Sequence, residues 1–323
     1  MRAAAAAPPR AEAPRRAPRR PHRLRQSAAH EEPRVKPAPF AWHAPDSVEA
    51  ALALKAAHGE EARFLAGGQS LVPAMNFRVA QPAVLLDLNR VPGLDAIEAA
   101  ADGSLRIGAM ARAARLEHDA AARRSHPILA EALHEVAHPQ IRNRGTLGGN
   151  LSHADPASEM PAVMLALDAR FLLRSARGQR ELPAADFFLG PLTTALGPDE
   201  MLAEMRLPPL PPRSGSAFLE VARRRGDYAM MGVAAVVTLD AEGRCAAARI
   251  ACCSAGPTPM AAPRAAASLL GTRLGEAEIA AAAALLREEV DPMGSVHASP
   301  DYQRHLAGVV AARALRLAKA RAA

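Results

Sequence analysis

The sequence predicts an α+β fold organised as two successive domains, 37–212 and 213–320. In the second of these, three candidate strands at 217–223, 230–239 and 247–253 precede two candidate helices, 276–290 and a segment that starts after Ser299-Pro300. Strands grouped ahead of helices favour an α+β domain over alternating βαβ units. A proline-rich segment at 208–212 separates the two regions, and 323 residues are enough for two modest domains.

The first domain is predicted to open with short strands and one clear helix. The candidate strands are 40–42, 64–66 and 84–88. Asp46 is typical of a helix N-cap, and Glu49 three residues later completes a capping box. Val48, Ala51, Leu52 and Ala56 form the apolar face of this helix, and Gly59 ends it.

The rest of the first domain mixes strand pairs and helices. The Asp102-Gly103 dipeptide lies between apolar segments at 96–99 and 105–108, which indicates a β-hairpin. Pro127 suits the first turn of a helix at 127–137. The Asp155-Pro156 pair predicts the cap and first turn of a second helix that continues to Leu167, and 169–174 with 179–182 predict another strand pair.

The positive charge of the chain is concentrated at its N-terminus. Residues 1–36 contain ten Lys or Arg and three acidic residues, whereas the remainder has equal numbers of each sign. This Ala/Pro/Arg-rich tail is predicted to be disordered, because it has too few apolar residues to offset the entropy of ordering. The neutral remainder does not indicate a nucleic-acid-binding face. No run approaches the ~20 apolar residues of a membrane span, and a cytoplasmic protein is predicted.

Two glycine pairs are the most informative motif. The first lies in Ala66-Gly67-Gly68-Gln69-Ser70 and the second in Thr146-Leu147-Gly148-Gly149-Asn150. Glycine lets the backbone approach a ligand closely, and the N–H groups of such turns form a concavity that suits phosphate oxygens. Neither pair matches the GxGxxG or GxxxxGK[ST] pattern. The residues therefore indicate either plain turns or a phosphate-binding pair of turns of another type.

Polar residues near the glycines extend this hypothesis. Asp155 and Glu159 follow the second glycine pair, and a carboxylate commonly binds the ribose or adenine of a dinucleotide. The simpler interpretations are a helix cap for Asp155 and a solvated helical acid for Glu159. His134, His138 and His153 do not have the HExxH spacing of a metal site. The three cysteines, Cys245, Cys252 and Cys253, lack a CxxC motif, and the adjacent Cys252 and Cys253 are interpreted as small strand residues. No metal site is predicted.

Three segments resemble one known family. AGGQSLVPAMNFR at 66–78, IRNRGTLGGNLSHADPASEMPAVMLALDA at 141–169 and RRGDYAMMGVAA at 224–235 are similar to the FAD-binding medium subunit of molybdenum hydroxylases, of the carbon monoxide dehydrogenase and xanthine dehydrogenase type. The similarity covers residues 37–317. It implies an FAD-binding domain of the vanillyl-alcohol oxidase and UDP-acetylmuramate reductase type, followed by a small α+β flavoprotein domain.

The resemblance also implies specific binding residues. The expected FAD contacts are the two glycine stretches together with an acidic position, an apolar position and a tyrosine near the isoalloxazine: Ala66, Gly67, Gly68, Gln69, Ser70, Thr146, Leu147, Gly148, Gly149, Asn150, Glu159, Leu202 and Tyr228. Some members carry a basic residue near 219 or 220, where this chain has Leu219 and Glu220. The cysteines that certain relatives insert for an additional iron–sulfur cluster are missing, so no cluster is expected.

The implied function is electron transfer. In the family's scheme, a molybdopterin-binding large subunit oxidises the substrate and a [2Fe–2S] small subunit carries electrons to the FAD, which delivers them to NAD or another acceptor. No catalytic acid, base or nucleophile is predicted in this chain. The alternatives are a self-sufficient FAD-dependent oxidoreductase of the same fold and, less in keeping with the neutral folded region, an adaptor that binds polyanions through its basic tail.

Overall fold

The computed structural model describes residues 36–323. It opens with a small parallel sheet in the order β1–β3–β2, formed by β1 (Ala41–His43), β2 (Ala62–Leu65) and β3 (Val84–Asp87). Helix α1 (Val48–His58) connects β1 to β2, and α2 (Leu71–Asn76) follows β2. Except for Lys36, the predicted disordered tail lies outside the described residues.

The predicted cap of α1 is wrong by one residue. Ser47 is the N-cap, and its hydroxyl accepts a hydrogen bond from the Ala50 backbone N–H at 3.2 Å. Glu49 is therefore the second residue of the helix and cannot complete a capping box. The sequence Asp46-Ser47 offers two residues of nearly equal capping preference, so the choice depends on where the preceding chain leaves β1. Gly59 ends the helix as predicted.

A five-stranded antiparallel sheet forms the centre of the first domain, in the order β4–β5–β10–β6–β7. Its strands are β4 (Ile97–Ala99), β5 (Leu105–Gly108), β6 (Arg170–Ser175), β7 (Gly178–Pro183) and β10 (Met201–Leu207); β8 (Phe188–Gly190) pairs with β9 (Thr193–Thr194). The two predicted hairpins, β4–β5 and β6–β7, are confirmed. The central strand β10 has no counterpart in the sequence predictions.

Six short helices lie between β5 and β6. They are α3 (Ala113–His118), α4 (Ala120–Ser125), α5 (Ile128–Glu135), α6 (Pro139–Arg142), α7 (Leu147–His153) and α8 (Glu159–Ala166). Their apolar side chains join the sheet in one core that includes Leu116, Leu129 and Phe171. The second glycine pair thus lies in the first turn of a helix, α7.

The C-terminal region is a four-stranded antiparallel sheet with helices, as predicted. The sheet contains β11 (Ser214–Ala222), β12 (Ala229–Leu239), β13 (Cys245–Cys253) and β14 (Met260–Ala261), and the helices are α9 (Pro263–Ala267), α10 (Glu276–Glu289) and α11 (Pro300–Ala322). One face, including Val233 and Ile250, packs against α10 and α11. The interpretation of Cys252 and Cys253 as buried strand residues is confirmed.

The other face of this sheet packs against the first domain. Phe218, Ala234 and Cys253 belong to the same apolar core as α5 and α8. At the edge of this contact, the Glu131 carboxylate of α5 accepts the Phe218 backbone N–H at 3.1 Å and pairs with Arg321 of α11 at 2.7 Å. Among the helices of residues 36–323, none is long and apolar enough to cross a membrane.

Candidate functional site

A cavity of about 750 Å³ lies between the small parallel sheet and α5–α8. Its volume is within the range of small-molecule and cofactor sites. It is lined by both glycine stretches and by Leu202 of β10, so the fold brings together segments that are about 80 residues apart in the chain. Of the predicted binding residues, only Glu159 and Tyr228 do not line it.

The first glycine stretch forms an open turn between β2 and α2. Gly68 has φ of +76°, a conformation that favours glycine. Within residues 36–323, the backbone N–H groups of Gly67, Gly68, Gln69 and Ser70 donate no hydrogen bond. The Gln69 side chain donates to the Gly67 carbonyl at 3.2 Å, which fixes the turn. Four unpaired donors at a cavity wall are suited to an anionic group.

The second glycine stretch is different, because four of its five backbone N–H groups, those of residues 147–150, already donate hydrogen bonds within the protein. Leu147 donates to the Ala111 carbonyl at 3.0 Å, Gly148 to the Ala109 carbonyl at 2.9 Å and Asn150 to the Thr146 carbonyl at 3.0 Å. Gly149 donates to the Thr146 hydroxyl at 3.1 Å, which makes Thr146 the N-cap of α7. This differs from the expectation that these N–H groups face a phosphate.

The second pair of glycines is required for close packing instead. A Cβ on Gly148 would lie 2.7 Å from both the Cα and the carbonyl oxygen of Ala109. A Cβ on Gly149 would lie 2.8 Å from the Thr146 hydroxyl and 3.5 Å from the Ala66 Cβ. Gly67 meets the same segment from the other side, since its Cβ would lie 2.8 Å from Gly145 Cα. The glycines therefore let the two turns approach one another.

The loop after α7 is held by side-chain hydrogen bonds. The Asn150 amide exchanges contacts with the Ser158 hydroxyl at 2.8 and 3.0 Å. Asp155 accepts the Ala157 backbone N–H at 2.9 Å. The prediction that Asp155 caps the following helix is wrong, because α8 begins at Glu159 and Ser158 occupies the N-cap position. Three residues of loop separate Asp155 from that helix, so its carboxylate instead closes a local turn.

Glu159 and Tyr228 lie outside the cavity lining. Glu159 is only 6% exposed, so its interpretation as a solvated helical acid is wrong, and burial raises its pKa to about 7. Its chain neighbour Met160 does line the cavity. Tyr228 is 68% exposed, on the connection that leads into β12.

Three cationic side chains of the cavity wall were not predicted, Lys55, Arg63 and Arg142, and two of them are buried. Lys55 is buried, and its ammonium donates to the carbonyls of Gly59 and Ala62, each at 2.7 Å. Burial lowers its pKa. Lys55 lies on the apolar helix α1, and its long side chain extends to the cavity. Because this helix is outside both glycine stretches, the local sequence did not indicate that the lysine would line the site.

The second buried cation, Arg142, belongs to a buried polar cluster. Its guanidinium donates to the Glu117 carboxylate at 2.9 Å and to the carbonyls of Val136 and Ala137 at 3.0 and 3.1 Å. His134 contacts the other Glu117 oxygen at 2.9 Å. Burial alone would raise the pKa of Glu117, but these two partners lower it. The cluster fixes the segment that leads from α5 to the second glycine pair.

No metal-binding constellation is found in the described part of the chain: within residues 36–323, no three His, Cys, Asp or Glu side chains are grouped as metal ligands. His134 contacts Glu117, and His153 lies on the cavity wall.

Comparison with known proteins identifies the class of this site. Residues 38–210 match the family model described as the FAD-binding domain in molybdopterin dehydrogenase, and residues 216–318 match the carbon monoxide dehydrogenase flavoprotein C-terminal domain. The fold and the cavity therefore define an FAD-binding oxidoreductase subunit.

Individual similar proteins identify the family more closely than the two domain models do. The chain is 43% identical to subunit alpha of the 6-hydroxypseudooxynicotine dehydrogenase complex of Paenarthrobacter nicotinovorans, over 89% of this chain and 97% of that protein. The structure of carbon monoxide dehydrogenase from Hydrogenophaga pseudoflava matches with a TM-score of 0.86 and 38% identity, over 89% of this chain and 99% of that one. Quinoline 2-oxidoreductase from Pseudomonas putida 86 matches with a TM-score of 0.84 and 38% identity, over the same shares. The chain belongs to the family of FAD-binding medium subunits of molybdenum hydroxylases.

The residues of the cavity fit FAD. The four free N–H groups of the first turn suit the pyrophosphate, and the apolar side chains of Leu133, Val136, Met160 and Leu202 suit a flat aromatic ring. The cavity reaches from Lys55 on α1 to Met160 on α8, so one elongated ligand can contact both ends.

Proposed function

We propose that this chain carries electrons within a molybdenum hydroxylase complex, between a [2Fe–2S] small subunit and NAD or another acceptor. A molybdopterin-binding large subunit would oxidise the substrate. The observation that supports this most directly is the cavity itself, which offers four free N–H donors suited to phosphate and an apolar wall. Such a site binds and orients a cofactor, and the cofactor supplies the redox chemistry.

The proposed roles of the residues follow from their contacts. The N–H groups of Gly67, Gly68, Gln69 and Ser70 would donate to the pyrophosphate. Thr146, Leu147, Gly148, Gly149 and Asn150 would hold the facing wall in place, with Ala66 and Leu202 in contact with the cofactor. When bound, FAD accepts electrons singly or in pairs, which suits a position between one-electron clusters and a two-electron acceptor. Glu159 and Tyr228 would act at the margin of the site.

Two further expectations accompany this proposal. We place the boundary between the FAD-binding domain and the C-terminal domain near residue 212, in the proline-rich connection that precedes β11. We also propose that the complex operates in the cytoplasm, where NAD is available as an acceptor.

The decisive experiment is purification of the tagged chain from its native cell, followed by identification of subunits and measurement of bound flavin, iron and molybdenum. The proposal expects molybdopterin and [2Fe–2S] subunits in equal amount with the tagged chain. A chain that purifies alone with full flavin, and oxidises a small molecule without partners, would instead be a self-sufficient oxidoreductase.

A further inference from the structure

Two glutamates for which residues 36–323 supply no ion-pair partner lie where the first domain packs against the C-terminal sheet. Glu159 begins α8, and Glu220 lies in β11. Phe218 and Glu220 are two residues apart on the strand and therefore share the face that packs against α5 and α8. Both carboxylate oxygens of Glu220 are buried, and no hydrogen bond reaches either of them from residues 36–323.

The surroundings of this pair are acidic throughout. Glu135 from α5 and Asp155 from the loop before α8 act on the pair, and the pair in turn acts on Tyr228 from the β11–β12 connection and Cys253 from β13. No Lys or Arg is among them. Glu117, a comparably buried carboxylate, shows the usual solution, because it has Arg142 and His134 as partners.

A buried carboxyl group that lacks a cation retains its proton to higher pH. Burial, followed by repulsion from Glu159 and Glu135, raises the pKa of Glu220 to about 8. Burial also raises the pKa of Glu159 to about 7. Near pH 7.5 the two groups together would hold about one proton, as interacting carboxyl pairs do.

The pair is close to the apolar end of the cavity. Met160, adjacent to Glu159, lines that end, as do Leu133 and Val136 at the end of α5. Glu135 lies between the latter two and also acts on both glutamates. The apolar end of the cavity and Glu159 therefore belong to the same two helix ends, whereas Glu220 belongs to β11, whose sheet packs against these helices.

We propose that the neighbouring carboxyl groups of Glu159 and Glu220, which make no hydrogen bond to one another, take up a proton from solvent when the FAD is reduced. The inference rests on the proposed function. An electron held by FAD in the cavity would add one negative charge near the helix ends that carry Glu159, and a proton bound by the two glutamates would compensate that charge. No bond of the cofactor is made or broken by the pair, which acts as a positioning and charge-compensating element.

The test compares the full-length protein with Glu220→Gln, and uses Glu98→Gln as the control, since Glu98 is exposed and pairs with Arg106. The midpoint potential of the bound FAD is measured from pH 6 to pH 9 by reductive titration with absorbance detection. Above about pH 7 the wild-type reduction equilibrium should change more steeply with pH than that of Glu220→Gln. If one extra proton is taken up per electron, the equilibrium constant for FAD reduction changes by at most a further factor of ten per pH unit, which is 59 mV per pH unit for one electron. Glu98→Gln should follow the wild type.

A second measurement uses the apoprotein and needs no flavin. The folded state should bind more protons than the unfolded state between about pH 4.5 and pH 8, so the free energy of unfolding should fall as pH rises through this window. Glu220→Gln should flatten that slope. If wild type and Glu220→Gln have identical apoprotein slopes, the proposed proton binding by Glu220 is wrong. If their FAD midpoint potentials have the same pH dependence, the proposed link between that proton and FAD is wrong. A chain that never binds FAD would refute the proposed function but leave the apoprotein result intact.

Discussion

Replacing Gly67 by alanine tests whether this glycine is needed for the approach of the two turns. The added Cβ would lie 2.8 Å from Gly145 Cα and would also collide with the Arg144 carbonyl. Non-bonded carbons prefer a separation of about 3.5–4.0 Å, so the two segments must move apart by roughly 1 Å. Overpacking of this kind costs about 1–3 kcal/mol. Gly67 does not have a positive φ, so the effect is steric rather than conformational.

The binding of FAD should report this displacement directly. If the free protein relieves the collision by separating the turns, FAD must restore their spacing, and each 1.4 kcal/mol weakens binding about tenfold. We expect an affinity lower by roughly 10- to 100-fold, measured by quenching of flavin fluorescence on titration of the apoprotein. Gly190→Ala is the matched control, because its nearest neighbour would be Thr193 Cβ at 3.9 Å. Equal affinities and equal thermal midpoints for the two variants would refute the reasoning.

Three further predictions concern stability. Arg142→Met should lower the free energy of unfolding by about 3–5 kcal/mol, because Glu117 would be left buried without its cation. Chemical denaturation of the double variant with Glu117→Gln should show that part of this loss is recovered. A double variant no more stable than Arg142→Met would contradict this explanation. Burial lowers the pKa of His126 below 6.5, so the unfolded state binds more protons than the folded state. The free energy of unfolding should therefore fall as the pH drops below about 6.5. His126→Phe should make the free energy of unfolding less dependent on pH in this range, and an unchanged slope would contradict the prediction. Deleting residues 1–35 should leave flavin content and thermal midpoint unchanged, and a clear loss of either would show that the tail contributes to the fold.

Elements defined by local chemistry were predictable from the sequence. The hairpin around Asp102-Gly103 and the C-terminal strands that precede α10 and α11 were found where the sequence places them. Strand β10 was missed, although it occupies the centre of the five-stranded sheet. Its sequence, Met-Leu-Ala-Glu-Met-Arg-Leu, consists of residues with good helix propensity. Pairing with β5 and β6 decides its conformation, and neither neighbour is adjacent in the chain.

Helix α7 was missed for the opposite reason. Its sequence begins Leu-Gly-Gly, and glycine costs about 1 kcal/mol in a helix relative to alanine. Hydrogen bonds from Leu147 and Gly148 to the carbonyls of Ala111 and Ala109 anchor this turn. Those partners are more than thirty residues away in the sequence, so no local pattern contains the information. The glycine pair identified the location of the site but not its conformation.

The two glycine stretches therefore contribute to the cavity in different ways. In the first, the N–H groups of 67–70 have no partner in residues 36–323 and are free for a ligand. In the second, the N–H groups of 147–150 donate within the protein. Gly149 there removes a side chain that would lie against Ala66 of the first turn, and Gly148 removes one that would collide with Ala109. A motif of two adjacent glycines is compatible with either role, because both require only the loss of a Cβ. The two roles are distinguished by whether the neighbouring backbone N–H groups already donate to the protein. That depends on which segment of the chain packs behind each turn. Substitutions in the first stretch should thus act by displacing the N–H donors of the ligand as well as by crowding, whereas substitutions in the second should act by displacing the cavity wall alone.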